Sequence, residues 1–369
     1  MLIYLMSYNK VMFLFKKKIP ICLYIFFIFL TFNFTEFSTN IAYSKTFIVS
    51  KIEVEEEYNL NFNKIKVIDR GFKKAFQNLS QMILEVKDLN IITDTSIEDI
   101  KKLVDNFSIL DEKFVNQKYK NIMEVEFNRK KLIKFFSTKN IILSLPKKID
   151  VFFLPILVDL ETNSFNYLND DIFVKNWENI QENYFQINYI LPNEDVEDYL
   201  IIKKNLKNIE NFNFKKILQK YNSENYIIMI VFKRKNNIKF YSKIKFDDKF
   251  LVSNENFTNK NILDRSNLNS MILNIKNKYE DNWKSINKMN PSSSVPIRLS
   301  VNSFNIKKSL KLENTLANLD FVNYYTIEKF DNSKIIYKVY YSSSPNRFLK
   351  DISNYDIIVD TTSSNWKVK

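Results

Sequence analysis

The chain is 369 residues long, 45% hydrophobic and 26% charged, the balance of a folded protein with room for two or three domains of about 100–150 residues. It carries 55 basic against 42 acidic residues, no histidine, one cysteine and one glycine. Those absences exclude Ser-His-Asp and Cys-His nucleophiles, histidine-bearing zinc sites, the P-loop and the dinucleotide fingerprint, whose glycines let backbone approach phosphate.

Glycine is normally about 7% of a protein. A coding sequence very rich in A and T depletes Gly, Ala, Arg and Pro and enriches Lys, Asn, Ile, Phe and Tyr, so the formal charge of +13 has a compositional source. Its basic residues are interleaved with acids and form no long block. A charge of this sign also draws a protein toward anionic lipid, nucleic acid or acidic polysaccharide.

Lys16-Lys17-Lys18 precedes an apolar run from Ile19 to Leu30 that continues to Phe34, and Ala42 and Ser44 then supply a small-x-small site. This is the order of a secretory signal peptide over 1–44. Cleavage there leaves a chain starting near Lys45 with a net charge of +10 and, since Cys22 lies in the leader, no thiol. The alternative is an uncleaved anchor at 19–34, which is shorter than the ~20 apolar residues of a full span.

Beyond the leader the chain divides into segments at 45–146, 147–289 and 297–369, with 290–296 as a linker. In the first, 46–54 reads as a strand ended by Glu55-Glu56-Glu57, and 70–84 as an amphipathic helix with Gly71 in its first turn. Thr95 and Glu98 have capping-box spacing for a second helix carrying Ile97, Ile100, Val104 and Phe107 on one face. Met123, Val125 and Phe127 alternate as in a strand, and Leu132, Ile133, Phe135 and Phe136 lie on a closing helix. The order is β-α-α-β-β-α.

The second segment opens with a doubly apolar strand over 151–158, expected at the centre of a sheet. Trp177 falls on the next helix, 189–192 ends another strand, and helices follow over 196–206 and 214–221. Tyr226–Phe232 is a second buried strand, joined by a turn at 234–237 to the alternating Ile238, Phe240, Ser242, Ile244 and Phe246. A long helix over roughly 267–288 closes the segment. After the linker, the pattern of strands 297–301, 321–329, 335–341 and 356–360 with helices 306–319 and 345–353 is the β-α-β-β-α-β order of a ferredoxin-like unit. The fold class is therefore α/β (α+β), in two or three small modules.

Carboxylate catalysis needs none of the absent residue types, and Asp170-Asp171, Glu194-Asp195, Glu197-Asp198 and Asp247-Asp248 are its candidates. Acids in such polar stretches more often begin helices or sit in turns, as Glu194-Asp195 after Pro192-Asn193 does. Ser309 among Lys307, Lys308 and Lys311 has the types of a Ser-Lys nucleophile without a defining spacing. No catalytic, cofactor-binding or metal residue is assigned. The aromatic side chains fall mainly on faces expected to be buried, which favours core packing over stacking on nucleic acid.

The export signal, the strand TFIVSKIEVEEE, the helix RGFKKAFQNLSQMIL, the segments SILDEKF and YKNIMEVEF and the strand FFLPILV together resemble the proteobacterial periplasmic family named domain of unknown function 2066, in an AT-rich marine bacterial branch. The resemblance rests on hydrophobic positions across the mature chain and implies a location and a fold, since the family has no established activity. The expectation is an exported, non-catalytic periplasmic protein that binds or assembles with an envelope protein or an anionic envelope polymer, without nucleic acid or cofactor. The alternatives are a carboxylate-dependent enzyme acting on cell-wall glycan and, from composition alone, a secreted protein of a eukaryotic parasite.

Overall fold

The computed structural model describes residues 47–167, 172–193, 195–260, 262, 264–289 and 295–369. The expected leader with Cys22, the Asp170-Asp171 pair, Glu194 and positions 290–294 of the expected linker lie outside the described residues. Among the described residues, helices are mixed throughout with strands that build three sheets, an α/β (α+β) chain.

The first sheet has the order β1-β3-β2, all antiparallel, from β1 (Ile48–Glu57), β2 (Val104–Val115) and β3 (Lys118–Phe127). The acidic triplet does not end β1. Glu55 lies opposite lysines of β3, pairing with Lys118 and, at 2.9 Å, with Lys120, so the cross-strand charges extend the ladder. Helix α1 (Lys64–Ile83) starts six residues before the expected position because Asn63 caps it, its side chain accepting from the Ile65 and Lys66 amides. Gly71 therefore sits inside the helix rather than in its first turn. There a Cβ atom would lie 2.0 Å from the Met123 sulfur on β3, so the absence of a side chain sets how closely α1 approaches the sheet.

Two short helical turns, α2 (Val86–Leu89) and a 3-10 turn over Asn90–Ile92, lead to α3 (Ile97–Leu103). The capping pair is Ser96 with Asp99, not Thr95 with Glu98: Ser96 Oγ accepts from the Asp99 amide at 3.1 Å and donates to its carboxylate at 3.0 Å. Thr95 instead donates to the Ile92 carbonyl. Val104 and Phe107 leave the expected helix for β2, which pairs with β3 from Val104–Phe127 to Val115–Lys118. Helix α4 (Arg129–Thr138) buries Leu132 and Phe136 as expected.

The second sheet is built on β4 (Ile149–Asp159). On one edge its first half pairs in parallel with β6 (Ile187–Ile190) and its second half antiparallel with β5 (Ser164–Tyr167). On the other edge it runs parallel to β7 (Tyr226–Arg234), followed antiparallel by β8 (Asn237–Phe246) and β9 (Lys249–Phe257). Alternation sends Val151, Phe153, Ile227 and Met229 to one face, under α5 (Ile172–Asn179) and α8 (Arg265–Ile286). Phe152, Leu154, Ile228 and Ile230 face the other way, under α6 (Val196–Asn205) and α7 (Lys215–Lys220). A strand with both faces covered in this way reads as a continuous apolar run. Ser242, the polar residue at an inward position of β8, shares a 2.5 Å hydrogen bond with the Tyr279 hydroxyl of α8.

The third sheet begins inside the expected linker. β10 (Val295–Asn302) takes in Val295 and Pro296, which lie opposite Tyr341 and Tyr340. It is followed by α9 (Ile306–Asn318), β11 (Val322–Phe330), β12 (Lys334–Tyr341), α10 (Pro345–Ser353) and β13 (Val359–Asp360). That is the ferredoxin-like element order, with one change. A last strand, β14 (Trp366–Val368), inserts parallel to β10 and displaces the expected fourth strand, β13, to the outer edge.

The first and third sheets share one hydrophobic core, in which Phe76, Phe136 and Leu143 belong to the same cluster as Leu312, Phe321 and Phe348. The described residues from 47 to 369 form one compact unit. Helix α8 ties its parts together. Lys276, Glu280 and Lys284 recur every four residues on its buried side. The Lys276 ammonium donates to the Trp177 and Ile180 carbonyls at the end of α5, both at 2.7 Å, and Lys284 donates to the Leu84 carbonyl at the end of α1 at 2.8 Å. Glu280 accepts from the Gln186 and Ile187 amides at the start of β6. Cations thus meet orphan carbonyls, and a carboxylate meets orphan amides. Among the described residues no helix is long and apolar enough to cross a membrane.

Candidate functional site

Among the described residues, the acids singled out in the sequence lie in two places. Asp195 caps α6, its Oδ1 accepting from the Glu197 and Asp198 amides at 2.7 and 3.1 Å. One ammonium, Lys220 of α7, sits 3.0, 3.2 and 2.9 Å from the carboxylates of Asp195, Glu197 and Asp198. Asp198 is fully buried and also accepts from the Tyr221 hydroxyl at 3.2 Å. Lys220 holds the Asp195 carboxyl below its ordinary value, and Lys216 with Lys220 does the same for Glu197. A glycosidase acid needs the opposite shift, a carboxyl kept protonated near neutral pH. This cluster joins α6 to α7.

Asp247 is a turn residue between β8 and β9, with a φ of 49°. Its carboxylate receives Arg347 Nη1 and Lys350 Nζ of α10, each at 3.2 Å. Arg347 Nε donates to Asp351 at 2.9 Å, and the other Asp351 oxygen accepts from the Tyr341 hydroxyl at 2.6 Å. Burial, reinforced by Asp351, pushes the Tyr341 phenol far above its ordinary value, so it remains a donor. The Arg347 guanidinium also lies 5.5 Å from the centre of the Phe321 ring. Held on these sides, its side chain is only 12% exposed.

Arg347 forms one wall of a cleft of about 400 Å³, shared with Lys147, Asn318, Asp320, Asp351 and Tyr355. The cleft opens where the connection after the first sheet passes α10 and the loop between α9 and β11. The Lys147 backbone is pinned there, its carbonyl accepting from Trp283 Nε1 of α8 at 2.6 Å. Lys147 is exposed as a residue, yet loss of water around its ammonium and then repulsion from Arg347 hold it below its ordinary value. A second cleft of about 380 Å³, beside α1, is lined by Glu56, Lys66, Asp69, Arg70 and Lys73, and there Arg70 pairs with Glu56 and Lys101 with Asp69.

Strongly shifted groups often mark active sites, but two of those here, under α8, have structural partners. Burial brings Lys276 down to about 8 and raises Glu280, and both are spent on backbone groups. Ser309 is buried on α9 with its hydroxyl toward the Asn305 carbonyl at 3.4 Å, while Lys311 reaches the Asp356 carbonyl at 3.1 Å. Among the described residues no group of three or more Asp, Glu, Cys or His side chains is placed to hold a metal ion. Reading the sequence singled out neither Lys147 nor Arg347. The four-residue spacing of Arg347 and Asp351 on one helix is a signal that could have drawn attention to the second, and Lys147 carries none.

No protein-family model matches the chain, and no curated protein matches it significantly.

Proposed function

We propose that the chain is an exported, periplasmic, non-catalytic protein that binds another component of the cell envelope, as its resemblance to the domain of unknown function 2066 family implies. The observation that carries the binding half of this reading is the cleft at Lys147 and Arg347, where Asp247 and Asp351 fix the guanidinium before any ligand arrives. Preorganisation of this kind lowers the entropy lost on association. The candidate acids of the second sheet support the non-catalytic half, since Asp195, Glu197 and Asp198 all share Lys220. The signal-like leader supports export.

Cell fractionation with N-terminal sequencing tests the location: the expected species is periplasmic and begins near Lys45. Photo-crosslinking in intact cells from position 355, on the cleft rim, tests the binding role. A discrete envelope adduct is expected. A cytoplasmic full-length species, or an adduct pattern that does not change when the crosslinker is moved to a distant surface, would sink the reading.

A further inference from the structure

We propose that the cleft beside α10 is a binding site for a small oxyanion, a carboxylate or a phosphate, held between the Lys147 ammonium and the Arg347 guanidinium. The inference concerns the chemistry of the cleft and holds wherever the protein resides.

Charge is the first argument. Lys147, Arg347 and Lys350 converge here against Asp247 and Asp351, which leaves one positive charge unbalanced. Asp320 on the cleft wall faces Arg129 at 3.9 Å. Asp247 and Asp351 are committed to Arg347, and among the described residues the Lys147 ammonium has no ion-pair partner. Two cations that line one cleft repel, and an anion bridging them removes that cost.

Geometry is the second argument. Arg347 is fixed by two carboxylates and the Phe321 ring, and the Lys147 backbone by the Trp283 indole. A guanidinium presents planar donors that match an oxyanion, and an ammonium adds a point charge. A volume of about 400 Å³ admits a small oxyanion, free or as the charged group of a larger molecule. Asn318, Asn354 and Tyr355 offer further polar contacts around the opening.

The test is calorimetric titration of the full chain with succinate and with inorganic phosphate at constant ionic strength, chloride serving as reference. Saturable binding is expected for one oxyanion, at least tenfold weaker in Lys147→Met and retained in Lys147→Arg. Stronger succinate binding identifies a carboxylate ligand, and stronger phosphate binding a phosphate ester. Thermal unfolding without anion checks the fold: Lys147→Met should melt at the wild-type temperature or above it, because the substitution removes a repulsion. Binding no stronger than that of chloride, or equal binding in Lys147→Met, overturns the proposal.

Discussion

Two groups of charged side chains in this molecule are handled in opposite ways. Beneath α8, Lys276, Glu280 and Lys284 are buried and bond to backbone at the ends of other elements. Between α6 and α7, by contrast, Lys220 meets the carboxylates of Asp195 and Glu197 near the surface. The first arrangement carries a desolvation penalty and fixes where α1 and α5 end and where β6 begins relative to one helix. The second is screened by water and salt and fixes little more than its own two helices. Removing a member should therefore be costly in the first group and mild in the second.

Glu280→Ala should give the largest effect. It strips the acceptor from the Gln186 and Ile187 amides in a buried setting. At about 1–3 kcal/mol for each unsatisfied group, the total loss is about 4 kcal/mol by urea unfolding. Glu280→Gln keeps an acceptor oxygen and should lose much less. Equal losses for the two variants would mean that the backbone bonds are not what the carboxylate supplies.

The pH dependence sharpens the same contrast. Lys276 is at about 8 in the folded protein against an ordinary 10.5. Between those values the unfolded chain holds a proton that the folded chain has shed, so stability rises with pH through that window and is flat below it. The full rise corresponds to about 3 kcal/mol. In Lys276→Met the slope between pH 8 and 10.5 should shrink, leaving the part owed to Lys284, whose ammonium burial also holds below its ordinary value. An unchanged slope would assign it to other groups.

Gly71→Ala probes packing in place of charge. The added methyl meets the Met123 sulfur at 2.0 Å. Overpacking of about 1–3 kcal/mol is offset by a helix-propensity gain of about 1 kcal/mol, which leaves a net loss of about 0–2 kcal/mol. In a Met123→Val background the same substitution should become neutral or stabilising. Additive effects in that double-mutant cycle would refute close contact as the reason for the glycine.

The parts of this fold that sequence made legible are those where one physical effect decides. Met123, Val125 and Phe127, or Ile238 through Phe246, alternate because one face of their strand is covered. Misreadings arose where a partner distant in sequence decides. Glu55 stays in β1 because of lysines on β3, and Phe107 leaves the helix because β2 pairs along its whole length. β9 was illegible because Phe250 and Val252 are exposed beside the inward Leu251, which erases the alternation. β14 is three residues long and exists through its pairing with β10 and β13. Of the candidate acids, Asp195 was readable as a helix start. Asp247 meets Arg347 only because the second and third sheets come together there, and no local pattern announces that.

The smallest expected effect belongs to Asp159, in the surface group's style. Its carboxyl is held down to about 2, chiefly by the Lys233 ammonium at 3.0 Å and then by the Glu161 and Thr162 amides. A depressed carboxyl contributes fully above its unfolded value, about 4, and loses that contribution as pH falls toward 2. Asp159→Asn keeps an acceptor for the two amides and removes only the charge. The acid branch of the stability curve between pH 4 and 2 should flatten, because the variant lacks at neutral pH the contribution that the wild type loses on acidification. High salt should erase most of the wild-type difference, because water reaches both partners. Salt should leave the rise assigned to Lys276 in place, since that group is buried with its carbonyls. A salt-insensitive acid branch would place Asp159 with the α8 charges and dissolve the distinction between the two groups.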